Sequence, residues 1–78
     1  KLTATEYDLL RLFIYHAGKV LIHQQIIREI WGSSSGDEMQ YLRVYISQLR
    51  RKIESDPSDP KLLVTETGIG YRLQVLDS

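Results

Sequence analysis

A chain of 78 residues, 42% hydrophobic and 26% charged, can bury one hydrophobic core but not two, and is too apolar to be a disordered tail. It has no cysteine, which excludes disulfides, thiolate metal sites and cysteine nucleophiles, and its apolar runs fall far short of the roughly 20 residues that cross a bilayer. Ten Lys/Arg balance ten Asp/Glu, so net charge alone argues against a nucleic-acid partner; with no signal-peptide pattern at its start, the chain is expected in a reducing cytoplasm, away from membranes.

The segment Thr3-Ala4-Thr5-Glu6 has the form of a capping box and predicts the start of a helix. Leu9, Leu10, Phe13, Ile14 and Ala17 recur at helical spacing and Gly18 stops them, so the first helix is read as Ala4–His16. Lys19-Val20-Leu21 reads as a brief strand or extended link. A second helix, His23–Trp31, carries Ile26, Ile27, Ile30 and Trp31 on one side and ends at Gly32. Its N-cap position is Ile22, which has no capping oxygen. Ser33-Ser34-Ser35-Gly36 is a polar turn.

Met39, Leu42, Ile46, Leu49 and Ile53 then step by three and four, which predicts a third helix over Asp37–Glu54 with these residues as its buried stripe. Pro57 and Pro60 place a loop after it. Leu62–Thr65 and Tyr71–Val75 are strand-like runs on either side of Thr67-Gly68-Ile69-Gly70, the pattern of a β-hairpin. Three helices followed by a C-terminal hairpin suit an α+β winged helix-turn-helix, with Leu9, Leu10, Phe13, Ile26, Ile30, Leu42, Ile46 and Leu49 sharing one core.

The charge is unevenly distributed along this order. Residues 1–38 carry four Lys/Arg and five Asp/Glu, residues 39–53 four and none, and residues 54–78 two and five. A helical segment with four cations and no acid is a candidate phosphate-facing surface, although a solvated basic face fits the charge alone equally well. Rotation about the third helix sets Gln40, Arg43, Val44, Ser47, Arg50 and Arg51 outside the stripe. Arg43 and Arg50 lie nearly in line, two turns apart. Arginine's planar fork can bond guanine O6 and N7 or grip a phosphate, and Gln40 and Ser47 can read bases between the arginines. Arg51 lies further round, as a phosphate contact would. At the hairpin tip Thr67 and Gly68 offer a hydroxyl and backbone N–H groups to a sugar-phosphate chain. Trp31 is a core residue or an indole donor to phosphate.

Enzymatic chemistry needs a convergent nucleophile, base and stabiliser, and none is legible, so the chain is not expected to be an enzyme. His16 and His23 lie seven residues apart across Gly18 with no third ligand pattern, and neither metal nor cofactor is expected. The rival reading is a winged helix that binds protein instead of DNA, through the Ser33–Glu38 loop or an apolar face.

Five ordered blocks carry a family resemblance across nearly the whole chain: Leu2–Leu10, Gly18–Leu21, Ile30–Gly32, Tyr41–Lys52 and Thr65–Arg72. Together they resemble the effector domains of OmpR/PhoB-type response regulators, and Leu42–Tyr45 with Glu66–Arg72 is most similar to the potassium-responsive branch. The resemblance implies sequence-specific binding of double-stranded DNA in two-component transcription control, extending to potassium-transport genes. It places the third helix in the major groove and the wing at the adjacent minor groove. Arg43, Arg50 and Arg51 fall on DNA-contact positions, Trp31 on a phosphate contact, and Thr67 with Gly68 at the wing tip, where many relatives carry arginine. It also implies that the Gly32–Glu38 loop faces RNA polymerase and that the domain dimerises on DNA. The family's N-terminal sheet and receiver domain are not among the 78 residues, so Tyr7, Leu12 and Tyr15 on the first helix are expected to be exposed.

Overall fold

The computed structural model describes residues 1–32 and 36–75 and shows an α+β winged helix. In chain order the elements are α1 (Ala4–Tyr15), β1 (Val20–Ile22), α2 (His23–Trp31), α3 (Glu38–Ile53), β2 (Leu63–Glu66) and β3 (Gly70–Leu73). α1 begins where the capping box demands: the Thr3 hydroxyl accepts from the Glu6 N–H at 3.3 Å, and the Glu6 carboxylate accepts from the Thr3 N–H at 2.8 Å. α2 starts without a side-chain cap. Its first N–H, from His23, instead donates to the Ile69 carbonyl at 3.2 Å, so a backbone oxygen from the distant hairpin stands in for the missing cap.

The strands form one antiparallel sheet in the order β1-β3-β2. The hairpin expected from the sequence is present, and β1 adds a third strand to it, with Leu21 opposite Tyr71 and Ile22 opposite Gly70. This pairing clamps the segment between α1 and α2 onto the hairpin. Gly70 makes the close approach possible, because a Cβ there would collide with the Leu21 carbonyl oxygen and lie 2.9 Å from Ile22 Cα. At the turn, Gly68 adopts φ +75°, a left-handed conformation that other residues rarely take.

The core joins all three helices to the sheet: Leu9, Phe13, Leu21, Ile26, Ile27, Leu42, Ile46, Leu49, Leu63 and Tyr71 are buried in one cluster. Leu10 and Ile30, expected inside, are only half-buried against it, as are Met39 and Ile53 at the ends of the α3 stripe. On α1 the exposure expected of Tyr7 and Tyr15 is present, whereas Leu12 is half-buried. Among the described residues no helix is long and apolar enough to cross a membrane.

Candidate nucleic-acid interface

With Leu42, Ile46 and Leu49 directed into the core, α3 presents its opposite side to solvent. Arg43, Val44, Ser47, Gln48 and Arg51 line a shallow depression there, and none of these residues is acidic. Gln40 and Tyr41 extend the exposed surface one turn toward the helix start. Of the residues singled out in the sequence, Gln40, Arg43, Ser47 and Arg51 are thus brought together. Gln48 was missed, although its helical position beside Ser47, one turn beyond Val44, marks it as outward.

Arg50 is placed differently. Its Nε–H donates to the Leu63 carbonyl at 2.9 Å and its Nη2 to the Thr65 hydroxyl at 2.8 Å, both on β2. Its guanidinium lies 5.7 Å from the centre of the Tyr71 ring, whose other contacts include the edge-on imidazole of His23 at 5.5 Å. Desolvation by burial pulls the guanidinium below its usual range, with the Tyr71 and Glu54 charges opposing that effect.

Lys52, the fourth cation of the helix, turns to α1. Its ammonium lies 2.6 Å from the buried Glu6 carboxylate and 2.8 Å from the Lys1 carbonyl oxygen. The Lys52 hydrogen bond, with those from Thr3, holds the Glu6 carboxyl below the ordinary range against the effect of burial. The Glu54 carboxylate, buried just beyond α3, accepts from the N–H groups of Lys61, Leu62 and Leu63 at 2.7–3.1 Å. Desolvation is the largest influence on Glu54 and acts upward, but these donors and the Arg50 charge together outweigh it and keep the carboxyl below its ordinary value.

The wing tip exposes Thr67, Gly68 and Ile69, and just behind it Arg72 pairs with Glu66 at 2.8 Å. Trp31 is half-buried, its ring 5.9 Å from that of Tyr45 and tilted by 43°. In the Gly32–Glu38 loop, residues 33–35 lie outside the described residues; Gly36 donates its N–H to the buried Glu38 carboxylate at 3.0 Å. His16 packs edge-on to Tyr15 and His23 to Tyr71. No group of three or more His, Cys, Asp or Glu is arranged for a metal ion among the described residues.

The family profile described as "Transcriptional regulatory protein, C terminal" matches residues 1–73. The chain is 47% identical over 73 residues to the transcriptional regulatory protein KdpE of Mycobacterium tuberculosis H37Rv, covering 94% of this chain and 32% of that protein. It therefore spans about a third of the length of this relative. Among solved structures, the DNA-binding domain of Bacillus subtilis CssR superposes with a TM-score of 0.79 at 32% identity, over 94% of this chain and 77% of that one. The DNA-binding domain of the response regulator AdeR, solved in complex with an intercistronic region, superposes with a TM-score of 0.76 at 25% identity, over 96% and 74%. A profile match along almost the whole length, agreeing with the fold, places this chain in the family of C-terminal domains of OmpR/PhoB-type transcriptional regulatory proteins.

Proposed function

We propose that this chain binds double-stranded DNA with α3 in the major groove and the β2–β3 wing against the adjacent minor groove, as the effector domain of a two-component response regulator. The observation that carries the reading is the exposed, acid-free surface of α3 formed by Arg43, Val44, Ser47, Gln48 and Arg51. AdeR, a domain of the same fold, is complexed with DNA, which supports the same partner here. Arg43 and Gln48 read base edges, Ser47 and Gln40 add neutral hydrogen bonds, and the Val44 methyl groups suit a thymine methyl. Arg51 grips phosphate, and Thr67 with Gly68 approaches the backbone from the wing. Trp31, packed on Tyr45, offers phosphate its indole N–H.

The similarity to a transcriptional regulatory protein supports control of transcription; its extension to potassium-transport genes, a cytoplasmic location and a role in binding rather than catalysis are parts of the same proposal that rest on the family resemblance. RNA polymerase contact through the Gly32–Glu38 loop and dimerisation on DNA belong to the same proposal and rest on the family resemblance. The direct test is a mobility-shift titration of the chain on duplex DNA at two salt concentrations. Affinity should fall steeply as salt rises, because displaced counterions accompany each phosphate contact. Salt-independent or absent binding refutes the reading in favour of a protein-binding winged helix.

A further inference from the structure

The hairpin from Leu63 to Leu73 carries all of its side-chain charge in one pair: Arg72 is its only cation and Glu66 its only acid. Leu63 and Thr65 turn toward the helices, Leu63 into the core and Thr65 to Arg50, so Val64 and Glu66 lie on the opposite, outer face of the sheet. On that same face the register sets Arg72 opposite Val64 and Val20, and Gly70 opposite Glu66 and Ile22. Gly70 has no side chain to obstruct the diagonal from Arg72 to Glu66, a cross-strand spacing that a long side chain spans, and the Arg72 Nε–H donates to Glu66 Oε2 at 2.8 Å. Glu66 also opens the turn, its carbonyl accepting the Ile69 N–H at 2.9 Å. The pair therefore draws the guanidinium from a mid-strand position to the base of the wing tip.

We infer that Arg72 is a DNA-backbone contact on the outer flank of the wing, and that Glu66 is the positioning residue that aims it; both roles rest on the DNA-binding reading and deepen it. A guanidinium has five N–H donors, and Glu66 takes the one on Nε. The four on the Nη atoms have no acceptor among the described residues, and the two side chains keep 34% and 30% of their surface exposed, enough for a second anion to reach the cation. An arginine already held along one edge loses less rotamer freedom when the other edge meets a phosphate. Thr67, Gly68 and Ile69 at the tip carry no cation, so Arg72 is the cation that the hairpin can bring to the strand it approaches. Paired at this distance, Arg72 and Glu66 project little field, and their contribution is made at contact. Glu66 itself repels phosphate, so its loss has two effects of opposite sign: less repulsion, and an arginine no longer aimed.

The test separates these effects with two neutral replacements of Glu66. Glu66→Gln keeps an acceptor for the Arg72 Nε–H, and Glu66→Val removes it; each is made alone and together with Arg72→Gln in the 78-residue chain. In the free protein the Arg72 Nε–H should give a 15N-correlated signal with slowed solvent exchange in wild type and Glu66→Gln, and lose that protection in Glu66→Val. The binding probes are a duplex selected by the wild-type chain from a randomised library and a random-sequence duplex, titrated by mobility shift across a salt series. Arg72→Gln should weaken both duplexes by a similar factor and lower the salt slope by about one, the mark of a lost phosphate contact. Glu66→Gln should bind at least as tightly as wild type, whereas Glu66→Val should bind about 3- to 10-fold more weakly than Glu66→Gln, the scale of one lost hydrogen bond. With Arg72→Gln in place, glutamine and valine at position 66 should bind alike. Wild-type affinity and salt slope in Arg72→Gln would overturn the contact. Equal affinities of Glu66→Gln and Glu66→Val, or a difference between them that persists without Arg72, would overturn the aiming role. Failure of the wild-type chain to bind either duplex would instead refute the DNA reading itself, and this contact with it.

Discussion

Replacing Glu54 by alanine should destabilise the domain far more than a polar residue at a helix end suggests. The carboxylate collects the N–H groups of Lys61 and Leu62, which lead into β2, and of Leu63, which starts it. The bond to Leu63, at 2.7 Å, is buried, so that N–H has no water to replace a lost acceptor. A buried hydrogen bond to a charged group is worth about 1.5–3 kcal/mol, and the part-buried Lys61 and Leu62 donors add roughly 0.5 kcal/mol each after rehydration. The expected loss is about 2.5–4 kcal/mol, which in a domain of this size lowers Tm by roughly 10–30 °C. Thermal unfolding followed by far-UV circular dichroism checks it, with Glu54→Gln expected to fall between wild type and alanine because one amide oxygen still accepts. A change in Glu54→Ala smaller than about 0.5 kcal/mol, the range of an ordinary surface substitution, would show that the loop backbone is held by something other than this carboxylate.

Acid should unfold the domain through Glu6 and Glu54. Both carboxyls sit below their ordinary value of 4.5 in the folded state, so their stabilisation is complete above that value and is lost as pH falls through the lower folded values. Urea midpoints measured along a pH series should be steady above about 4.5 and decline below it, with a flatter acid limb in Glu6→Gln. Gly70→Ala should cost about 3 kcal/mol or more by driving β1 from β3, read as a lowered denaturation midpoint; full stability would refute the close approach to Leu21. On the binding side, Arg43→Ala should lose about 1–3 kcal/mol on a selected duplex and relax preference at one base pair. Arg51→Ala should weaken selected and random duplexes alike and lower the salt slope by about one; quantitative mobility shifts across a salt series separate the two outcomes.

The helices were legible because their signals are local. The Thr3–Glu6 box, the Ile26–Trp31 face and the three-four stepping of Met39 to Ile53 each lie within a few turns of chain, and the helices begin and end within a residue of where these signals put them. β1 as a sheet member was not legible. Three residues are too few to show a period, and the partners of Leu21 and Ile22 are Tyr71 and Gly70, far along the chain. The second role of Glu6 was hidden for the same reason: its capping function is written three residues away, but Lys52 lies 46 residues off. Gln48 is different, since the helical period alone puts it on the outward face. Arg50 shares a row with the exposed Arg43, and what turns it from solvent is β2, whose Leu63 and Thr65 lie 13 and 15 residues along the chain.

The neutral net charge now has a structural account. Two of the four cations of α3 are spent inside the molecule, Lys52 on Glu6 and Arg50 on β2, while Arg43 and Arg51 have no side-chain partner among the described residues. The acids that balance the sum are in large part similarly engaged. Glu6 is matched by Lys52, Glu66 by Arg72, and Glu54 by three backbone donors. Opposite charges paired at hydrogen-bond distance, as Lys52 with Glu6 and Arg72 with Glu66, project little field, so a zero total need not mean a neutral surface. Arg43 and Arg51 stand foremost in the field that an approaching duplex meets on α3, with no acid lining the depression between them. Adding one acid there, as in Ser47→Glu, would change the total charge by a single unit but place it between those two arginines and against phosphate. It should therefore suppress binding strongly, whereas the same change at Ser58, in the exposed turn after α3, should leave affinity nearly unaltered. Equal losses from the two substitutions in a mobility-shift titration would mean that total charge, not its placement on α3, governs binding.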